Sequence, residues 1–188
     1  MAAGGAGGSA WLLLDSCLPG HGGGPPKPTG LGACLGIVAG LVCITPAALF
    51  VTPWTGALMG ATAAAACRAA CAWLRSTAVA RRSDDACEVF GVHGVGGLVG
   101  NTLTAVFAST ALGGTLVVPS IGKQVALHMA VNGVAVAWAY GATYVILAAL
   151  DKLLPRGVRV TPEEEDAGLD EALHGEAACA SGVFALAH

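Results

Sequence analysis

An ionisable imidazole sits inside an apolar stretch. His93 lies in Val-Phe-Gly-Val-His-Gly-Val-Gly-Gly, residues 89–97. A titratable group within a long apolar segment is costly, so it marks a functional site by default. Neutral imidazole donates and accepts a hydrogen bond at once, so it can line a path for a small polar molecule or relay a proton. Gly94, Gly96 and Gly97 leave room beside it for another backbone or for a narrow lumen. The residues alone leave a second reading equally open, a core histidine bonded to a neighbouring carbonyl.

Other polar residues carry weaker signals. Asp84, Asp85 and Glu88 precede the same segment, where acids favour the positive end of a helix dipole and can pair with Arg81 or Arg82. Thr45 and Pro46 come late in an earlier apolar run. Proline frees a carbonyl one turn back, and Thr45 can bond such a group, either at a packing kink or beside a polar cavity. His128 and Asn132 are one turn apart and suit bonds between helices or the wall of a cavity. The seven cysteines form no Cys-x-x-Cys pair and lie mostly in apolar runs, as small packing residues do. No cluster has the spacing of a metal site, a nucleophile with its base, or a phosphate loop, so neither an enzyme nor a bound cofactor is expected.

The elements that must hold these residues are membrane helices. Of 188 residues 55% are hydrophobic and only 11% charged, where a soluble domain carries about 25% charged. Four apolar segments run from about Leu31 to Val51, Gly56 to Leu74, Val89 to Thr110 and Gln124 to Leu150. Each reaches the roughly 20 residues that cross a bilayer, and none alternates as a strand would. Lys27, Arg75, Arg81, Arg82, Lys152, Arg156 and Arg159 fall on one side and Lys123 alone on the other, so the arginine-rich side is expected in the cytoplasm. Small residues recur every four positions: Gly32, Gly36 and Gly40; Gly56 and Gly60; Gly96 and Gly100; Gly133, Ala137 and Gly141. That spacing lets backbones pack closely. Residues 1–10 read as a disordered Gly/Ala-rich leader, residues 11–160 as the membrane domain, and residues 161–188 as an acidic cytoplasmic tail. Thr161 and Glu164 have the spacing of a capping box. With no basic stripe and a net charge of −3, nucleic acid is not an expected partner.

The longer motifs resemble a known family. Residues 32–47, Gly-Ala-Cys-Leu-Gly-Ile-Val-Ala-Gly-Leu-Val-Cys-Ile-Thr-Pro-Ala, closely resemble the eighth membrane helix of Amt/Mep ammonium transporters. Residues 84–100, Asp-Asp-Ala-Cys-Glu-Val-Phe-Gly-Val-His-Gly-Val-Gly-Gly-Leu-Val-Gly, resemble the loop into the tenth helix and that helix. Residues 157–160, 168–170 and 174–176 resemble the cytoplasmic tail, and Trp11 to Asp15 the end of the seventh helix. The likeness covers about residues 10 to 178.

The resemblance implies an all-α membrane protein, the four-helix transmembrane portion of an eleven-helix fold. It implies homotrimers, in the plasma membrane of a cell, whose subunits each carry a narrow apolar pore. Ammonium is recruited outside and loses its proton, and ammonia passes two stacked histidines. His93 matches the second histidine, Val89 a residue lining the pore beside it, and Thr45 a threonine near the pore. Asp85 matches an acid that orders the cytoplasmic start of the tenth helix. Nothing in the chain matches the first histidine, the aromatic gate or the recruitment site, so a companion half is expected to close the pore. The alternative is a transport-inactive membrane protein that associates with full-length transporters and regulates them.

Overall fold

The protein is described by a computed structural model covering residues 1–19, 24–77, 85 and 87–175. It is helical, with no strand among the described residues. The helices are α1 (Ala2–Cys17), α2 (Gly30–Ile44), α3 (Pro53–Ser76), α4 (Val95–Phe107), α5 (Ile121–Leu153) and the short α6 (Pro162–Ala167). Short tight turns follow α2 at Thr45–Ala47 and α4 at Thr110–Leu112. Four stretches are long and apolar enough to cross a membrane: Gly30–Ala47, Pro53–Ser76, Phe90–Phe107 and Ile121–Leu153. The chain divides into two compact units, Met1–Val134 and Ala135–His188.

The first unit is built on small residues. α1 packs against both α2 and α3, and α4 packs against α2 and α3. A methyl group on Gly7 would meet the Gly36 carbonyl, and one on Gly60 would meet the Ala3 carbonyl. The backbones themselves are therefore in contact, which is how helices gain dispersion energy where lipid removes the hydrophobic incentive to associate. Gly32, Gly36, Gly40, Gly56, Gly60, Gly96 and Gly100 are all buried, as their spacing predicts.

Two expectations fail here. Residues 1–10 are not a disordered leader. All but Met1 belong to α1, and Ala3, Gly4, Gly7 and Gly8 are buried. A Gly/Ala-rich run that could not fold alone in water is the composition that close helix packing uses. The fourth small-residue face, Gly133, Ala137 and Gly141, is exposed instead of packed. α5 carries no buried residue. Near its start it meets α4 through His128 and Asn132, a different stripe of the helix.

The described part of the second unit holds the end of α5 and a short acidic segment. Thr161 caps α6 and Glu164 returns the bond to the Thr161 N–H, so the capping box forms. The helix N-terminus holds the Glu163 carboxyl below its ordinary range, first through its own backbone N–H and then through the Thr161 hydroxyl. Arg156 pairs with Glu164 at 3.4 Å and Arg159 with Glu165 at 3.1 Å, both at the surface.

Candidate functional site

His93 lies in a widened turn. Phe90–Gly94 is π-helical, and the Val95 N–H reaches back to the carbonyls of Phe90 and Val92. Such turns insert an extra residue into a helix and recur where a side chain must be re-aimed. Val92 points inward and is buried, whereas His93, Phe90 and Val89 are exposed. No hydrogen-bond partner for the His93 ring exists among the described residues. Among the described residues, then, no carbonyl takes the His93 ring, and the core reading of this histidine finds no support in the first unit.

The start of this helix is fixed by acids. One oxygen of the Asp85 carboxylate accepts the Val89 N–H at 2.7 Å, and the other accepts the Phe90 N–H at 3.0 Å. Those N–H groups have no partner inside the helix, so the carboxylate replaces the missing turn. Glu88 adopts a left-handed φ of 55° just before the helix and forms an ion pair with Arg75 of α3. Asp84, Arg81 and Arg82 lie outside the described residues.

Thr45 is exposed at the end of α2. Pro46 cannot donate to the Val42 carbonyl one turn back, and the Thr45 N–H donates there instead. That leaves the Leu41 carbonyl, which the Thr45 hydroxyl takes at 2.8 Å. Pro46 and Thr45 therefore satisfy the helix end together, and the Thr45 oxygen keeps only acceptor capacity.

Two further polar groups meet inside the first unit. Arg68, in mid-α3, bonds Asp15 of α1 through Nε at 2.7 Å and the Pro19 carbonyl at 3.1 Å. Both charged residues are at most 5% exposed. A side chain on Gly32 would meet the free oxygen of Asp15, so the first glycine of the α2 stripe makes room for this pair. Between α4 and α5, His128 Nδ1 lies 2.8 Å from the Asn101 carbonyl and 2.9 Å from its side-chain oxygen. Two acceptors at one nitrogen assign the proton to Nδ1. Nε2 then accepts from the Gln124 amide at 3.2 Å. The Asn101 amide donates to Asn132 at 2.7 Å. His128, Asn101 and Gln124 also line a cleft of about 230 Å³ with Pro46 and Phe50. Both sequence readings of His128 hold, interhelical bond and cavity wall. No group of three or more metal-binding side chains gathers among the described residues.

The sequence pattern of the Ammonium Transporter Family matches residues 1–179. The chain belongs to the ammonium transporter family. It is 35% identical over 180 residues to the ammonium transporter MEP2 of Saccharomyces cerevisiae, covering 90% of this chain and 34% of that protein. It is 43% identical over 175 residues to an ammonium transporter of Aquifex aeolicus, covering 90% of this chain and 37% of the relative. The crystal structure of Candida albicans Mep2 superposes with a TM-score of 0.71 at 31% identity, over 87% of this chain and 35% of that one. The chain thus spans little more than a third of the length of these relatives.

Within this family member, motif reading reaches His93, Val89, Thr45 and Asp85, and structure places three of them, Val89, Thr45 and His93, on exposed surface. It does not reach Arg68. The available signal is a guanidinium inside an apolar span, the same rule that singles out His93. Asn101 and Gln124 are also missed. Each lies among apolar residues at the pitch of a helix face, with no motif to draw attention to it.

Proposed function

We propose that this chain forms one side of an ammonia-conducting pore, with His93 lining the path, Val89 beside it and Thr45 near it. The observation that carries the reading is the exposed His93 ring, which meets no hydrogen-bond partner among the described residues. A neutral imidazole offers one N–H and one lone pair, and ammonia needs both an acceptor and a donor. The apolar Val89 disfavours the ammonium cation there, because a charge on an apolar path is far costlier than a neutral amine. Asp85 fixes the helix start and hence the height of His93. The companion surface comes from the first half of the family fold, in a homotrimer in the plasma membrane. Lys27, Arg75, Lys152, Arg156 and Arg159, all on the side of the acidic tail, support a cytoplasmic tail by the positive-inside rule.

The test is growth on low ammonium, and uptake of labelled methylammonium, in cells lacking their own ammonium transporters. Co-expression of this chain with the first seven helices of a full-length relative is expected to restore uptake, and His93→Ala to abolish it. Rescue by the chain alone would overturn the need for a companion half. Uptake that survives His93→Ala would remove the pore role.

A second reading has support in the same exposed surface. A chain presenting Val89, Phe90 and His93 can associate with full-length transporter subunits and regulate them without conducting. It predicts co-purification with a full-length relative and altered uptake by that relative. No association removes it.

A further inference from the structure

The wide turn that carries His93 is held from behind by sulfur. The Cys67 thiol of α3 donates to the Val92 carbonyl, Sγ to O 3.6 Å, in a fully buried setting. One turn later on α3, Cys71 is packed so tightly against Gly91 that a methyl group on Gly91 would meet its sulfur. Val92 itself is buried with Trp11, Ala39, Ala64, Cys67 and Cys71. The turn therefore has two unlike faces. One is fixed by two cysteines at i and i+4 of α3, and the other carries exposed Val89, Phe90 and His93. A π turn is less regular than the α-helix it interrupts and persists where the surroundings hold it. Sulfur suits that role, being a weak donor that also packs as an apolar atom.

We propose that Cys67 is a positioning residue for His93: its thiol, on the Val92 carbonyl, keeps the turn Phe90–Gly94 wide and so sets the direction in which the imidazole leaves the helix. The relevance to conduction rests on the pore reading given above. The geometry does not, and the test separates them.

The full chain in lipid nanodiscs is compared with Cys67→Ala, Cys67→Val, Cys67→Ser and Cys43→Ala by nitrogen NMR of ¹⁵N-histidine, with His93→Gln assigning the signal. Cys43 is the matched control, because its buried thiol donates to the Met59 carbonyl at 3.5 Å away from the turn. Cys67→Ala is expected to shift the His93 ring resonances and to speed amide exchange at Val95 roughly tenfold, the size of one lost hydrogen bond. Cys67→Ser, which keeps a donor, is expected to return both toward wild type. Cys43→Ala is expected to leave both unchanged. Cys67→Val lacks the donor but fills the space, and carries the same test if the alanine variant does not fold. Wild-type His93 resonances in the folded alanine or valine variant would overturn the proposal. An equal shift in Cys43→Ala would overturn it too, by showing only a general loss of packing. If the resonances move as expected but His93→Ala leaves uptake intact, the positioning stands and the pore reading falls.

Discussion

α1 and α2 meet backbone to backbone, whereas α4 and α5 meet through amides and an imidazole. At the first contact Gly7 lies on the Gly36 carbonyl, and neither position can accept a methyl group without displacing the other helix. At the second, His128, Asn101 and Asn132 reach across, and Thr102 adds a bond of 3.5 Å to Met129 sulfur. Asn132 also donates to the Leu98 carbonyl at 3.3 Å. The first contact is many weak attractions that all require one geometry. The second is a few directional bonds, which side-chain rotation can accommodate. Steric change should therefore break the first, and loss of a partner should weaken the second by less.

The largest effect is expected where the backbone-packed region holds its charges. Arg68→Met leaves the Asp15 carboxylate buried without its guanidinium. Removing one member of a buried pair costs about 3–5 kcal/mol. Reversible unfolding of the chain in mixed micelles would measure it. The double variant Asp15→Asn with Arg68→Met should regain most of the loss, because a neutral pair strands no charge. A wild-type stability for Arg68→Met alone would mean that water reaches Asp15 and that this region is less tightly closed than the glycine contacts indicate.

Next comes Gly36→Val. It drives a branched side chain into the Gly7 carbonyl and the Trp11 side chain. Overpacking of this kind costs about 1–3 kcal/mol, and more where the obstacle is backbone. The same unfolding measurement reads it. Gly133→Val is the matched control on α5, where the space around the glycine is open among the described residues, and it should cost little. Equal losses at the two glycines would erase the distinction between packed and unpacked small-residue faces.

These two glycines also show how far the sequence could be read. Spacing identifies small residues that recur on one helix face, but it does not say whether another helix lies opposite. Gly32, Gly36 and Gly40 acquire a neighbour in α1, whose Gly/Ala composition suggests disorder until the partner is seen. Gly133 and Gly141 meet nothing among the described residues. Thr161 and Glu164 were legible because a capping box is a local interaction over three residues. Asp15 and Arg68 are 53 positions apart, so only the tertiary fold joins them. His93 was legible as an unusual residue in an apolar run, but the π turn that exposes it depends on α3 packing behind it.

The smallest effect is expected at the polar contact. Asn132→Ala removes an acceptor for Asn101 and two donor bonds, one to the Leu98 carbonyl and a longer one of 3.4 Å to Thr102. Hydrogen bonds between membrane helices average about 0.6 kcal/mol and reach about 1.7, because the separated helices find other partners. A double-mutant cycle of Asn101→Ala with Asn132→Ala isolates the pair. A coupling near the average would show that α5 is attached by bonds it can exchange. A coupling as large as the Arg68 effect would show that the amides are sealed from water and lipid as tightly as the ion pair. The cycle must be run with His128 intact, because its Nδ1 proton is shared with Asn101 and would otherwise move the reference state.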